Sequence, residues 1–139
     1  MSVLTVLIDT DVLIDFLTDR EPFTQSAKEV IKKSHESAIK AFLAPHSITN
    51  IFYILRKYYS AADRKRRLID LCMSVSVALI DADLVMNALA NNGFDDVEDC
   101  LQVECAIAIG ADYIVTRNIK DYAKSQIPAI LPNELLAQT

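Results

Sequence analysis

Three aspartates stand where a folded chain could gather carboxylates for catalysis. Asp9 ends the apolar run from Val3 to Ile8, Asp99 lies near the start of the apolar stretch from Val97 to Ile109, and Asp121 follows the run Tyr113 to Val115. A carboxylate at the end of a buried strand is costly unless something pairs with it, and several together repel one another. A divalent cation relieves both penalties. Mg²⁺ takes oxygen ligands, keeps several waters and commonly uses one or two carboxylates plus a substrate phosphate. The chemistry such a site performs is hydrolysis of a phosphodiester. Each acid also has an ordinary role. Asp11 reads as the cap of the following helix, and Asp81 and Asp83 as caps of a later one. Asp95, Asp96, Glu98 and Asp99 crowd a helix start, where the helix dipole favours acids. Asp121 reads equally well as a solvated loop acid. Asp9 has no comparable structural explanation.

The elements that must position these acids follow from the apolar pattern. Val3 to Ile8 is rich in branched residues and reads as a strand buried on both faces, central in a parallel sheet. Helices are expected over Val12 to Leu17 and Phe23 to His35, then a strand over Ala41 to Ala44. Ser47 reads as the N-cap of a helix to about Tyr59, and Asp63 as the cap of another through about Cys72. Val75 to Ile80 is a third strand. Asp83 then caps a helix to about Asn91, and Val97 to Ile109 is a helix closed by Gly110. Tyr113 to Val115 is a fourth strand, Ile127 to Leu131 a fifth, and Pro132 opens a last short helix. Strands alternating with helices imply a parallel α/β sheet. Its active site should lie beyond the carboxyl ends of the strands, at the switch point, with Asp9 and the segment Thr116 to Asn118 side by side.

Composition narrows the alternatives. The chain has 139 residues, 52% of them hydrophobic and 24% charged, which fits one globular domain over residues 1–139. Glycine occurs only at Gly93 and Gly110, which excludes the phosphate loop of NTPases and the dinucleotide fingerprint, since both need glycines for backbone amides to approach phosphate. Cys72, Cys100 and Cys105 contain no CxxC pair, so no disulfide framework is expected. No apolar run is long enough to cross a membrane without interruption by acids, and the basic start of a signal peptide is missing. The expectation is a cytoplasmic protein.

The net charge of −5 is unevenly distributed. From Leu68 to Thr116 there is no Lys or Arg but there are nine acids, whereas Arg56 to Arg67 holds six basic residues and one acid. Arg64, Lys65, Arg66 and Arg67, near Tyr58 and Tyr59, suit single-stranded RNA, because cations neutralise phosphates and tyrosines stack on unpaired bases. A solvated helical face with the tyrosines in the core explains the same pattern. Arg117 and Lys120, close to the acids, are placed to touch a scissile phosphate.

Four segments in order carry a resemblance over nearly the whole chain. Val6-Leu-Ile-Asp-Thr-Asp-Val-Leu-Ile-Asp15, Val97-Glu-Asp-Cys-Leu-Gln102, Ile114-Val-Thr-Arg-Asn-Ile-Lys-Asp-Tyr122 and Ile130-Leu-Pro-Asn-Glu-Leu135 resemble the motifs of the PIN-domain family. The resemblance implies an α/β/α three-layer sandwich around a mostly parallel sheet of four to five strands. It implies a ribonuclease dependent on Mg²⁺ or Mn²⁺ that hydrolyses single-stranded RNA, as in VapC-type toxins, with a cognate antitoxin and a homodimer as partners. Asp9 matches the family's first acid and Asp99 its third. Asn50 stands where the second acid is usual, and Asn118 where the fourth is, with Asp121 as its replacement. Thr116 matches the hydroxyl that supports the site. Two amides in place of carboxylates leave open a weakened PIN domain that binds RNA or protein. The string Asp9-Thr10-Asp11-Val12-Leu13 also matches the opening of haloacid-dehalogenase-type phosphatases, with Asp9 as nucleophile and Asp11 as acid/base. No later Gly-Asp or double-Asp motif directly follows a strand to support it.

Overall fold

A computed structural model describes residues 3–139. Its centre is β1 (Thr5–Ile8), in which Val6, Leu7 and Ile8 are all fully buried. Alternate side chains of a strand point to opposite faces, and β1 does this inside two cores. Val6 and Ile8 face Val12, Leu13, Leu43 and Ile51. Leu7 faces Val103, Ala106, Ile114 and Tyr122 on the other side. A strand apolar on both faces requires helices on both, which gives the three layers.

Around β1 the chain runs through α1 (Thr10–Leu17), α2 (Thr24–His35), β2 (Lys40–Leu43), α3 (Pro45–Ile54), α4 (Ala61–Ser74), β3 (Ser76–Val77), α5 (Ala82–Ala90), α6 (Val97–Ala108), β4 (Tyr113–Val115), β5 (Ala129–Ile130) and α7 (Pro132–Leu136). A 3₁₀ turn over Leu55–Lys57 extends α3, and another spans Ile119–Tyr122. The five strands lie in the order β3-β2-β1-β4-β5, and every pairing is parallel. Leu7 is level with Phe42 on one side and Ile114 on the other. The order reverses direction at β1, so the crevice beyond Ile8 and Val115 is the switch point.

Several boundaries differ from the sequence reading, each for a local reason. α3 begins at Pro45 with Ala44 as its cap, since proline lacks the N–H that a first helical turn leaves free. Ser47 is therefore inside the helix and fully buried, not a cap. α4 is capped by Ser60, whose hydroxyl accepts from the Asp63 N–H at 3.2 Å. α5 is capped by Asp81, which accepts from the Leu84 N–H at 2.9 Å, leaving Asp83 in the first turn. β3 is much shorter than the run Val75 to Ile80. It is an edge strand, and after Ala78 bonds the Leu43 carbonyl at 2.8 Å the chain turns out, leaving Leu79 90% exposed. Gly110, at φ +66°, ends α6 in the left-handed conformation that glycine adopts without strain. Among the described residues, no helix is long and apolar enough to cross a membrane.

Candidate active site

Asp9 is both the end of β1 and the N-cap of α1, so one residue carries the chain from sheet to helix and leaves its carboxylate in the crevice. The group is almost wholly buried, and four donors surround it. The Thr10 N–H and Gln102 Nε2 lie 2.7 and 3.3 Å from Oδ1. The Thr116 hydroxyl and the Tyr122 hydroxyl lie 2.9 and 3.1 Å from Oδ2. Hydrogen bonds to a carboxylate normally lower its pKa. Here burial, reinforced by the charge of Asp11, outweighs them and pushes Asp9 up to about 7.

Asp99 enters from the first turn of α6, where Asp96 caps the helix through the Glu98 and Asp99 N–H groups at 2.7 and 3.3 Å. The Tyr122 hydroxyl lies 3.5 Å from Asp99 Oδ1, so a single phenol spans the two acids. Burial, then the charges of Asp96, Asp121 and Glu98, raise Asp99 to about 6. The Tyr122 phenol is itself pushed far up by burial and by the facing Asp9 and Asp99 carboxylates, and stays protonated as a donor.

Asp11 forms the outer wall of this crevice. Its Oδ2 accepts from the Arg117 backbone N–H at 3.0 Å and from Asn118 Nδ2 at 3.2 Å. Its Oδ1 accepts from the Val12 N–H at 2.7 Å. It thus does less as a cap than the sequence suggests, because Asp9 takes that position. Behind Asp9, the Thr10 and Ser47 hydroxyls are 2.8 Å apart. Gln102 Nε2 lies 3.1 Å from the Ser47 hydroxyl, and the amide is fully buried. Gln102 Oε1 has no partner among the described residues. His46 is half-buried one residue before Ser47, with both ring nitrogens unpartnered among the described residues. Burial lowers its pKa, opposed by the charge of Glu98.

The structure therefore brings together Asp9, Asp99, Thr116 and Asn118. The Asn118 N–H also donates to the Thr116 hydroxyl at 3.0 Å, aiming that hydroxyl's proton at Asp9. Asp121 is exposed in the 3₁₀ turn and reaches the site through its charge on Asp99. Asn50 is half-buried on α3 one turn beyond Ser47, and its side chain makes no hydrogen bond among the described residues. Lys120 is exposed beside Asp121.

Arg117 points elsewhere. Its Nε and Nη2 lie 2.6 and 3.3 Å from the buried Asp15 carboxylate, and its guanidinium stacks on Phe23 at 3.9 Å. The basic block is also largely engaged. Arg64 bonds the Phe52 carbonyl at 2.9 Å and stacks on that ring, Arg66 pairs with Asp63 at 2.8 Å, and Arg67 stacks on Tyr59. Of the four, Lys65 is exposed and makes no such contact. Sequence alone does not mark Tyr122, Gln102, Ser47 and Asp11 as site residues of a nuclease. Gln102 carries a signal, being a polar residue on an apolar helix face three positions after Asp99.

Among the described residues, no three acids, histidines or cysteines are grouped to hold a metal. What the crevice offers is a two-carboxylate, all-oxygen donor set in which both acids are held above their ordinary pKa. That suits a hard cation whose remaining positions are filled by water and phosphate.

Known proteins share this fold. A family model described as PIN domain matches residues 5–120. A toxin–antitoxin complex from Klebsiella pneumoniae superposes with TM-score 0.69 at 21% identity, covering 91% of this chain and 97% of the other. VapBC-1 from nontypeable Haemophilus influenzae gives 0.69 at 11% identity, over 94% and 99%. Mycobacterium tuberculosis VapC20, described as a sarcin-ricin loop cleaving toxin, gives 0.63 at 15% identity, over 78% and 86%. No curated protein matches the chain by sequence.

Proposed function

Because this chain belongs to the PIN-domain family, we propose that it is a metal-dependent endoribonuclease that hydrolyses phosphodiester bonds of single-stranded RNA. The observation that carries the reading is the pair of acids at the switch point, Asp9 and Asp99, spanned by the Tyr122 hydroxyl at 3.1 and 3.5 Å.

In this reading Asp9 and Asp99 hold Mg²⁺ or Mn²⁺, with Asp121 adding negative charge at the rim. The bound cation supplies Lewis acidity toward the phosphate. The chain's own groups set the geometry. Thr116, Tyr122, Gln102 and the Thr10 N–H fix the Asp9 carboxylate. Asn118 and the Arg117 N–H fix Asp11. The buried surroundings strengthen every charge interaction inside the crevice. Lys120, exposed beside the acids, is free to meet a phosphate.

A toxin role, with a cognate antitoxin and a second copy as partners in the cytoplasm, extends the same reading. Its support is the fold shared with a structure described as a toxin–antitoxin complex. Further support is an apolar outer face on α5, where Met86 and Leu89 are 64% and 58% exposed. Such faces mark protein contacts. The phosphatase alternative loses its support, since Asp11 is turned to the Arg117 and Asn118 amides and the family match is to PIN domains.

The test is cleavage of an unstructured single-stranded RNA by the purified protein with Mn²⁺ or Mg²⁺, against the same protein in EDTA. Cleavage should require the metal and fall to background in Asp9→Asn and in Asp99→Asn. Metal-dependent cleavage that survives both substitutions contradicts the assignment. A second reading, a PIN domain that binds RNA without cutting it, is favoured by Asn50 and Asn118 standing where carboxylates are usual. It predicts RNA binding with no cleavage under any metal.

A further inference from the structure

Asp11 lies in the first turn of α1 and Asn50 midway along α3, two helices whose starts touch at the crevice, where the Thr10 and Ser47 hydroxyls are 2.8 Å apart. From there two stripes of side chains run away from the acids. On α1 the stripe is Asp11, Ile14 and Thr18, and on α3 and its extension it is Asn50, Ile54 and Lys57. Residues three or four apart share a helix face, so the α1 stripe leads from the crevice to the far helix end, about 10 Å away, and the α3 stripe runs beside it. At that end Ile14, Thr18, Arg20, Ile54, Lys57 and Tyr58 line a groove of about 290 Å³.

The groove offers unengaged cations beside an uncovered ring, whereas the Arg64, Arg66 and Arg67 side chains are engaged. The ion pairs among the described residues are Lys28–Asp19, Arg66–Asp63 and Arg117–Asp15, so Arg20 and Lys57 are in none of them. Asp19, next to Arg20, is taken by Lys28 at 2.8 Å. Among the neighbouring tyrosines, the rings of Tyr53 and Tyr59 are covered by Arg56 and Arg67 at 3.7 and 3.8 Å. Tyr58 is 62% exposed, its ring is tilted against Tyr59 with centroids 6.3 Å apart, and no cation lies over it among the described residues.

We propose that this groove is a substrate subsite for the RNA flanking the scissile bond, with Arg20 and Lys57 each meeting a backbone phosphate and Tyr58 stacking on an unpaired base. The inference rests on the nuclease reading for the identity of the strand. The groove's chemistry comes from its own residues. Cations at two helix ends also complement the helix dipoles, but that role predicts no effect on RNA.

The experiment is binding of a labelled, unstructured single-stranded RNA in EDTA, followed by fluorescence anisotropy across a salt series. The proteins are wild type, Arg20→Ala/Lys57→Ala, Tyr58→Ala, Tyr58→Phe and the paired control Arg66→Ala. All the substituted side chains are exposed, and thermal melts verify folding. The double variant should bind more weakly, with its logarithmic salt slope smaller by roughly 1.4, about 0.7 for each phosphate no longer neutralised. Tyr58→Ala should weaken binding about tenfold at an unchanged slope, while Tyr58→Phe binds like wild type. Arg66→Ala should keep the wild-type slope. If the double variant keeps the wild-type affinity and slope, the subsite is wrong even where wild type cleaves RNA and the nuclease reading stands. If wild type binds through this groove and never cuts, the subsite stands and the nuclease reading falls. If wild type binds no single-stranded RNA, both fall.

Discussion

Replacing Arg117 by alanine should cost about 3–5 kcal/mol of folding stability, the usual consequence of removing one partner from a buried ion pair. Asp15 is 1% exposed, on the inner face of α1, and its carboxylate receives the Arg117 Nε and Nη2 at 2.6 and 3.3 Å. Stacking on Phe23 holds the guanidinium in that plane. The pair ties α1, the turn before α2 and the segment after β4 into one unit directly beneath the crevice. Alanine would leave a buried carboxylate with no counter-charge. Lysine would keep a charge but not the two-pronged geometry, and should fall between. The double variant Arg117→Ala/Asp15→Asn should recover much of the loss, because the uncompensated charge is then gone. Urea unfolding of the four proteins measures this. A loss of less than about 1 kcal/mol in Arg117→Ala would place the pair with ordinary surface ion pairs. It would also leave Arg117 free to meet a phosphate.

The second large effect is a gain. In metal-free protein, Asp9→Asn should be roughly 2–4 kcal/mol more stable than wild type at about pH 8, with the difference vanishing near about pH 4. Asp9 is held up to about 7 in the fold, chiefly by burial and then by Asp11, against an ordinary 3.8. A raised folded-state pKa means that the folded protein prefers the protonated acid. No penalty exists below the unfolded value, because the group is neutral in both states. As pH rises toward and through about 7, wild type loses stability that the asparagine variant keeps. An amide cannot accept from all four donors around Asp9, which trims the gain. Thermal or chemical unfolding in EDTA across this pH range is the measurement. Equal stability at high pH would mean that the Asp9 carboxylate is not strained and that its surroundings are not poised for a cation.

Where sequence and structure agree, the signal is strong and local. β1 is unbroken apolar sequence ending in an acid, and it is the central strand with both faces buried. Gly110 ends α6 because few other residues accept its backbone angle. The meeting of Asp9 with the segment Thr116 to Asn118 follows from the parallel order, since both end neighbouring strands. What the sequence hides depends on contacts between distant segments. Ser47 has the residue type of a cap, but Pro45 opens the helix earlier and turns the hydroxyl inward to Thr10 and Gln102. Asp63 and Asp83 have cap chemistry too, and the better-placed Ser60 and Asp81 take those positions. Tyr122 follows a loop and gives no hint from spacing that its hydroxyl reaches two acids more than twenty residues away. Arg117 sits beside the acids in sequence, yet the buried Asp15 draws its side chain beneath them. Charge counting finds the basic block at Arg64 to Arg67 without revealing how many of its guanidinium groups are already engaged with rings, carbonyls and Asp63.

The central claim is that Asp9 and Asp99 share one divalent cation. Titration calorimetry with Mn²⁺ at about pH 8, above the values near 7 and 6 at which these acids lose their protons, tests it most directly. The account predicts one binding event in wild type and its loss in Asp9→Asn and in Asp99→Asn. Mn²⁺ binding in both variants with the affinity of wild type would contradict it.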